Sequence, residues 1–313
     1  MTIKKHNALY LFSFLTIGIL SFWLMGYYTE GDQSSYINAY EKIAGLPITE
    51  AYLQYYSIVS SLEFGHFAIT WVASNLGMSK ILLISIANGL LAFSFLYYGK
   101  KLNVSFIVLL PIVLLNFYFL AVYTELERLK FAFLFFILSF IFYDNKKYFY
   151  LFSALAVFTH LQFLIFYSGF LFLFGMKQLK NVLVNYKINW KLFIFIILLF
   201  VALLIMEEHL SRKLRFYFQG LDFLAVLKVL PLFFLALFYS KKRNETISIV
   251  VVLAIAILML GGDRLNIFAY FVFLYYGLQY KKGFNLGIMI TTIYFSAKAI
   301  IFIMNIFQYG RGY

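Results

Sequence analysis

The chain has 313 residues, of which 64% are hydrophobic and 12% charged, with a mean hydropathy of +0.87. Soluble domains carry roughly 25% charged residues and cannot expose so much apolar surface, so the composition excludes a soluble fold and predicts an integral membrane protein. The net charge of +13, from 26 basic against 13 acidic residues, falls mostly in short turns between apolar runs, which is the positive-inside pattern and not a nucleic-acid footprint.

There is no cysteine, so disulfides, thiolate ligands and thiol nucleophiles are excluded. The four histidines, His6, His66, His160 and His209, are scattered and argue against a metal site.

The first apolar run, Ala8 to Gly26, follows Lys4, Lys5 and His6 and is long enough to span at about 1.5 Å per residue. No small-residue cleavage site follows it, so it reads as a retained span with a cytoplasmic amino terminus. Residues 27–62 are polar and acidic, with Glu30, Asp32, Glu41 and Glu50 against the single Lys42, and contain the helix stop Pro47; they read as an external loop. The four-residue spacing of Asp32, Tyr36 and Tyr40 stacks a carboxylate and two phenols on one helical face. Asp32 reads either as a helix N-cap or as a catalytic group.

Apolar runs follow from Glu63 to Gly77 and from Lys80 to Tyr98, ending at Lys100-Lys101. A run from Val104 to Val122 is expected to break at Pro111. After the run Leu129 to Tyr143 comes a second basic turn, Asn145-Lys146-Lys147. Both basic turns belong inside, which puts Tyr123 to Arg128 outside. An external Asp32 and an internal Lys100 require an odd number of crossings between them, so the run after Glu63 is expected to dip in and return.

The stretch Tyr123 to Lys130 packs Glu125, Glu127, Arg128 and Lys130 between two apolar runs. On a helix, three-residue spacing pairs Glu125 with Arg128 and Glu127 with Lys130, giving an interfacial ion-pair girdle. In the alternative reading, Arg128 holds a phosphate or an anionic headgroup with two donors of its fork.

Tyr148 to Phe174 has lysines on both sides, Lys146 and Lys147 before it and Lys177, Lys180, Lys187 and Lys191 after it. Two arms of about a dozen residues make a helical hairpin with Thr159 to Gln162 at its buried tip, an arrangement tolerated where it lines a protein cavity. A histidine at that depth points to function, so His160 is a candidate site residue.

After a run from Leu192 to Met206, residues 207–222 form a second external loop in which Arg212, Lys213 and Arg215 precede Phe216, Tyr217 and Phe218. These cations suit a phosphate and these rings suit sugar stacking, or the segment lies as an amphipathic helix on anionic lipid. The remaining runs are Phe223 to Tyr239, Ile247 to Leu260, Leu265 to Tyr280 and Phe284 to Phe307. Lys241-Lys242-Arg243 and Lys281-Lys282 lie inside, and Gly261-Gly262-Asp263-Arg264 lies outside. Lys298 within the last run reads as an anion ligand or as a snorkelling side chain. The whole is an all-α, polytopic membrane domain over 1–313, with about nine to eleven transmembrane helices, some broken or re-entrant.

No Walker motif, Gly-rich nucleotide loop or nucleophile elbow occurs, so any substrate must arrive already activated. The order of features resembles the EpsG-type branch of the Wzy-like polysaccharide polymerases. These are an acidic external loop with Asp32 and spaced tyrosines, Glu-Phe-Gly at Glu63, Arg128 opening an apolar helix, a basic turn, then His160. The likeness covers about Gly31 to Gly175 and extends more weakly from Arg264. It departs at Leu129, where the family commonly has Gln, and at Phe64, where it commonly has Pro.

The resemblance implies a cofactor-free transfer at the periplasmic face of a bacterial inner membrane, from an undecaprenyl-diphosphate-linked glycan to a hydroxyl of another lipid-linked repeat unit. The polymer is an O-antigen, capsule or exopolysaccharide, and the partners implied are membrane lipids and a chain-length regulator. Arg128, Arg264, Arg215 and Lys298 would face the diphosphate. His160, Asp32 or Glu63 would deprotonate the acceptor, and Tyr36, Tyr40 and Tyr217 would hold sugar rings. Two other readings are a carrier for a lipid-linked glycan, which internal repeats would favour though none is visible, and a membrane O-acyltransferase with His160 as base.

Overall fold

The computed structural model describes residues 2–185, 221–262 and 265–312. Among them every regular element is helical: α1 (Thr2–Met25), α2 (Asp32–Ile43), α3 (Ile48–Val59), α4 (Phe64–Asn75), α5 (Lys80–Lys101), α6 (Phe106–Leu115), α7 (Phe117–Thr124), α8 (Glu127–Ile141), α9 (Lys146–Thr159), α10 (Phe163–Asn185), α11 (Phe223–Tyr239), α12 (Arg243–Leu260), α13 (Leu265–Gln279), a short 3₁₀ turn (Tyr280–Gly283) and α14 (Leu286–Tyr309).

A hydrocarbon core about 30 Å thick takes about twenty helical residues to cross. Four helices meet that length with sufficient hydropathy: α1 through Ala8–Met25, α5, α12 and α14. A fifth span results if α6 and α7, bent by 52° at their junction, are taken as one broken crossing, and shorter apolar helices cover Phe163–Gln178 and Phe223–Tyr239. The protein is therefore an all-α polytopic membrane protein.

The chain forms two compact units, one of Met1–Phe163 with Leu278–Tyr313 and one of Leu164–Gly277. In the first, α1 and α5 approach so closely that a Cβ on Gly89 would lie 2.8 Å from the Phe14 carbonyl oxygen. Such small-residue contacts let helices pack where lipid offers no hydrophobic drive for association. The α8–α9 hairpin is joined by stacked aromatics such as Phe135 on Phe152. Ser79 caps α5 by accepting from the Leu82 N–H, and Asn145 caps α9 by accepting from Tyr148. In the second unit α10 packs on α12, where a Cβ at Gly169 would sit 2.8 Å from the Ile249 Cα.

One local expectation resolves differently from its statement, and a second agrees in that the run after Glu63 does not cross. The break expected at Pro111 falls at Asn116, and Pro111 stays inside α6. Asn116 adopts an extended backbone, and its side chain accepts from the Tyr118 N–H, so it ends one helix and caps the next. The run after Glu63 is the 12-residue α4, about 18 Å long and too short to cross. The 22-residue α5 is then the one full-length span between Asp32 and Lys100, which removes the parity difficulty.

Candidate active site

The three short helices α2, α3 and α4 carry polar groups into the first unit. At the end of α3, Ser60 takes a left-handed conformation, φ 53°, and turns the chain sharply. The turn buries Ser61 and Glu63, and leaves Leu62 partly exposed. Glu63 stands at the N-cap of α4 but does not cap it with its side chain. The carboxylate is spent on other elements instead.

Gly65 explains how that carboxylate reaches α9. A Cβ there would lie 2.8 Å from the Thr159 Cα and 2.5 Å from its Oγ1, so only glycine lets α4 lie against the end of α9. Thr159 is the last residue of α9, and His160 follows in extended conformation before α10 begins at Phe163. The break lies where Thr159 to Gln162 were expected to interrupt the apolar run.

The outcome is a buried carboxylate with its two oxygens divided. Oε1 accepts from His160 Nδ1 at 2.8 Å and from the Leu161 N–H at 3.2 Å. Oε2 accepts from Arg128 Nη1 at 2.6 Å and from Ser61 Oγ at 3.0 Å. Glu63 is 2% exposed and His160 6%. An ionised carboxylate only accepts, so Nδ1 of His160 carries a hydrogen and the ring orientation is fixed. Its Nε2 lies 3.0 Å from Gln162 Oε1, and it is open to accept a proton only when that amide presents its nitrogen to the ring.

Arg128, in the first turn of α8, is held on two sides. Nε donates to the Tyr36 hydroxyl at 2.9 Å, while Nη1 donates to Ser61 Oγ at 2.8 Å as well as to Glu63. Among the described residues Nη2 makes no hydrogen bond, and the side chain keeps 13% of its exposure. Burial raises the Tyr36 phenol to about 12, against the opposing pull of Arg128, so it stays a neutral donor and acceptor.

A second buried cluster adjoins the first. Glu127, fully buried beside Arg128 in sequence, pairs with Lys80 at 2.6 Å and lies 3.6 Å from His66 Nε2. His66 Nδ1 meets the Tyr55 hydroxyl at 2.8 Å. Lys80 also donates to Gln33 Oε1, and Gln33 Nε2 donates to the Thr124 carbonyl at the end of α7. Tyr36 lies between the clusters, its ring 5.5 Å from that of His66 and 5.6 Å from the Lys80 ammonium. Lys130 is buried too, donating to the Tyr123 carbonyl at 2.8 Å.

These contacts replace the girdle expected from sequence spacing. Arg128 pairs with Glu63 and Glu127 with Lys80, each across helices and not with the neighbour three residues away. The alternative expectation, that Arg128 offers a free fork to a phosphate, meets the fact that Nε and Nη1 are already engaged.

Of the residues singled out from sequence, Glu63, Arg128, His160 and Tyr36 come together. Asp32 is exposed at the first position of α2, whose N-cap is Gly31, so it is not the N-cap. Tyr40 turns to the Met78 carbonyl, at 2.7 Å, and does not share the Tyr36 cluster. Lys298 sits over the rings of Phe117 and Tyr294. Arg215, Tyr217 and Arg264 lie outside the described residues.

The chain matches no protein-family model, no curated protein and no solved structure. Among the described residues no three His, Asp or Glu side chains are placed to hold a metal ion. What the geometry offers is an imidazole oriented by a carboxylate, which suits it to take a proton at Nε2, next to a guanidinium with one open nitrogen.

Sequence reasoning missed Gln33, Tyr55, Ser61, His66, Lys80 and Gln162. One signal was present: the argument that singled out His160, a histidine in an apolar run, applies equally to His66. The others carry nothing local, because their partners are supplied by distant segments.

Proposed function

We propose that the protein is a bacterial membrane glycan polymerase, transferring a glycan from an undecaprenyl diphosphate to a hydroxyl of another lipid-linked repeat unit at the periplasmic face of the inner membrane. The observation that carries this reading is the division of the Glu63 carboxylate between His160 and Arg128. It joins a group suited to accept a proton to a cation suited to an anionic leaving group, and both are needed when a hydroxyl displaces a diphosphate. The resemblance at Glu63-Phe64-Gly65, Arg128 and His160 supports the same reading, and these residues belong to one bonded cluster.

In this mechanism the acceptor O–H bond breaks and its proton passes to His160 Nε2. The freed oxygen electron pair forms the bond to the anomeric carbon, and the bond from that carbon to the diphosphate oxygen breaks, its electron pair staying on the diphosphate beside Arg128. Glu63 holds the imidazole in the required tautomer and stabilises its charged form. No cofactor is required, because the glycosyl-diphosphate bond stores the energy.

The test is incubation of purified protein with a defined lipid-linked oligosaccharide. A ladder of products, lost in His160→Ala and Arg128→Ala, is expected. If single repeat units instead fail to reach the outer face in cells carrying folded Arg128→Ala protein, transport is the function and polymerisation is not.

A further inference from the structure

Opposite the candidate site, the first unit ends in a face of lysines. The 22-residue α5 runs about 33 Å from Lys80, which binds Glu127, to Lys100 and Lys101. Helices α1 and α14 run between the same two levels. Lys100 lies over the ring of Tyr10 in the first half of α1, while Thr29 and Glu30, just past its end, donate to the carbonyl of Gly310, the C-cap of α14.

Three turns meet on this face. The Ser105 N–H donates to the Lys282 carbonyl at 3.0 Å, and a Cβ on Gly283 would lie 3.0 Å from Val108 and 3.1 Å from Val104. Lys101 donates to Asp144 and to the Ile141 carbonyl, which brings in Lys146 and Lys147 at the start of α9. Lys100, Lys101, Lys146, Lys147, Lys281 and Lys282 are all exposed, and among the described residues Asp144 is the one carboxylate paired with any of them.

The backbone at the third turn is strained. Lys281 and Lys282 both take the left-handed conformation, φ 48° and 56°, and Gly283 follows at φ 89°. Side chains seldom enter that region, and two successive residues other than glycine do so still less often. A turn that served only to reverse the chain would be met by glycine or asparagine. Lysines are kept at both positions instead, and strain of this kind collects where side chains are used.

We propose that this face binds the phosphate of an anionic phospholipid, held between the turn at 102–105 and the turn Tyr280–Gly283, in the leaflet opposite the candidate site. The position names a lipid as the source of the anion. Lys100 and Lys101 end one membrane span, α5, and Lys281 and Lys282 stand just before another, α14. Tyr97, Tyr143, Tyr148 and Tyr280 are exposed, each within three residues of one of these lysines, as rings are at the headgroup layer. A soluble phosphate has no use for such a belt. Each lysine beside an anionic surface is worth a factor of about five in affinity, so two neighbouring ammonium groups that no carboxylate engages make a measurable site.

The experiment compares the melting temperature of the full-length protein in nanodiscs of phosphatidylcholine with and without phosphatidylglycerol, and measures phosphatidylglycerol affinity by native mass spectrometry. Phosphatidylglycerol should raise the melting temperature, and less so at high salt. The double variant Lys281→Gln with Lys282→Gln should bind it on the order of tenfold more weakly and lose most of the rise. Lys42→Gln, on α2 at the other end of the unit, should keep the full rise. An undiminished rise in the double variant overturns the proposal, and so does an equal loss in Lys42→Gln.

A second pair of substitutions separates backbone shape from charge. Lys281→Gly with Lys282→Gly relieves the strain, and should melt higher than the unaltered protein in phosphatidylcholine yet gain little from phosphatidylglycerol. If it keeps the full gain, the lysines are not the ligands. Inorganic phosphate added to phosphatidylcholine discs should produce no rise; if it reproduces the effect, the face takes a soluble anion and the lipid proposal fails. None of these readouts involves glycan transfer, so they stand apart from the polymerase reading.

Discussion

Glu63 and His160 are 97 residues apart in the chain and meet at 2.8 Å, carboxylate oxygen to imidazole Nδ1. The contact depends on neither residue's own helix alone. It requires the sharp turn at Ser60, which presents Glu63, and the bare backbone of Gly65, which lets α4 approach the end of α9.

Glu63→Gln should therefore lower polymer formation by on the order of 10³-fold or more, by analogy with neutralising the carboxylate that orients a catalytic histidine. Membrane insertion should be unaffected. Polymer at near-normal rates from purified Glu63→Gln protein would rule out an orienting role for this carboxylate.

Arg128→Lys should fail almost as badly as Arg128→Ala, with losses of about 10²-fold or greater. A lysine has no Nε to donate to Tyr36 while a second nitrogen donates to Ser61 and Glu63. Product ladders from the two variants, run side by side, decide it: a Lys variant close to the unaltered protein would mean that a point charge suffices.

Gly65→Val tests the approach of α4 to α9 without touching a polar side chain. Its Cβ would meet Thr159 backbone atoms closer than 3 Å, and overpacking of this kind costs about 1–3 kcal/mol. The expected outcome is a lower melting temperature in detergent together with loss of activity. Full activity at unchanged melting temperature would mean that the helices part freely and that the Glu63–His160 contact is not needed.

Lys80→Met leaves Glu127 buried beside a neutral His66, and removing one partner of such a pair costs about 3–5 kcal/mol. The double variant Lys80→Met with Glu127→Leu should recover most of that loss, because no charge then remains unpaired. Thermal denaturation of the single and double variants gives the coupling directly. Additive losses would show that the two side chains act independently.

The helical, membrane-embedded class was legible because it rests on composition, which no tertiary contact can overturn. The break at Thr159 to Gln162 was legible as well, since lysines on both sides of one apolar run left little alternative. Pro111 misled for a physical reason: in an apolar helix the missing N–H can be tolerated, whereas Asn116 carries a side chain that caps the next helix and rewards a break. The pairing of charges was not legible. Spacing along one helix suggests partners three residues away, but burial makes a carboxylate seek whichever cation the fold supplies, and Lys80 and Glu63 arrive from other helices. Asp32 looked as promising as Glu63 in sequence and differs from it only in being left at the surface.

The first unit closes on itself from both ends of the chain, since Leu278–Tyr313 joins Met1–Phe163 across the intervening Leu164–Gly277. A ribosome therefore delivers Glu63 long before His160, and delivers α14 after both. An ionised side chain at the middle of a bilayer costs about 2.5–3.5 kcal/mol during insertion, so α4 has reason to wait at the headgroup layer until Arg128 and His160 are available. Nascent chains halted shortly after α5 should leave α4 open to aqueous labels, and chains extended past α9 should withdraw it. The site would then mature in birth order, with Glu63 made well before Arg128 and His160 and settling only after both.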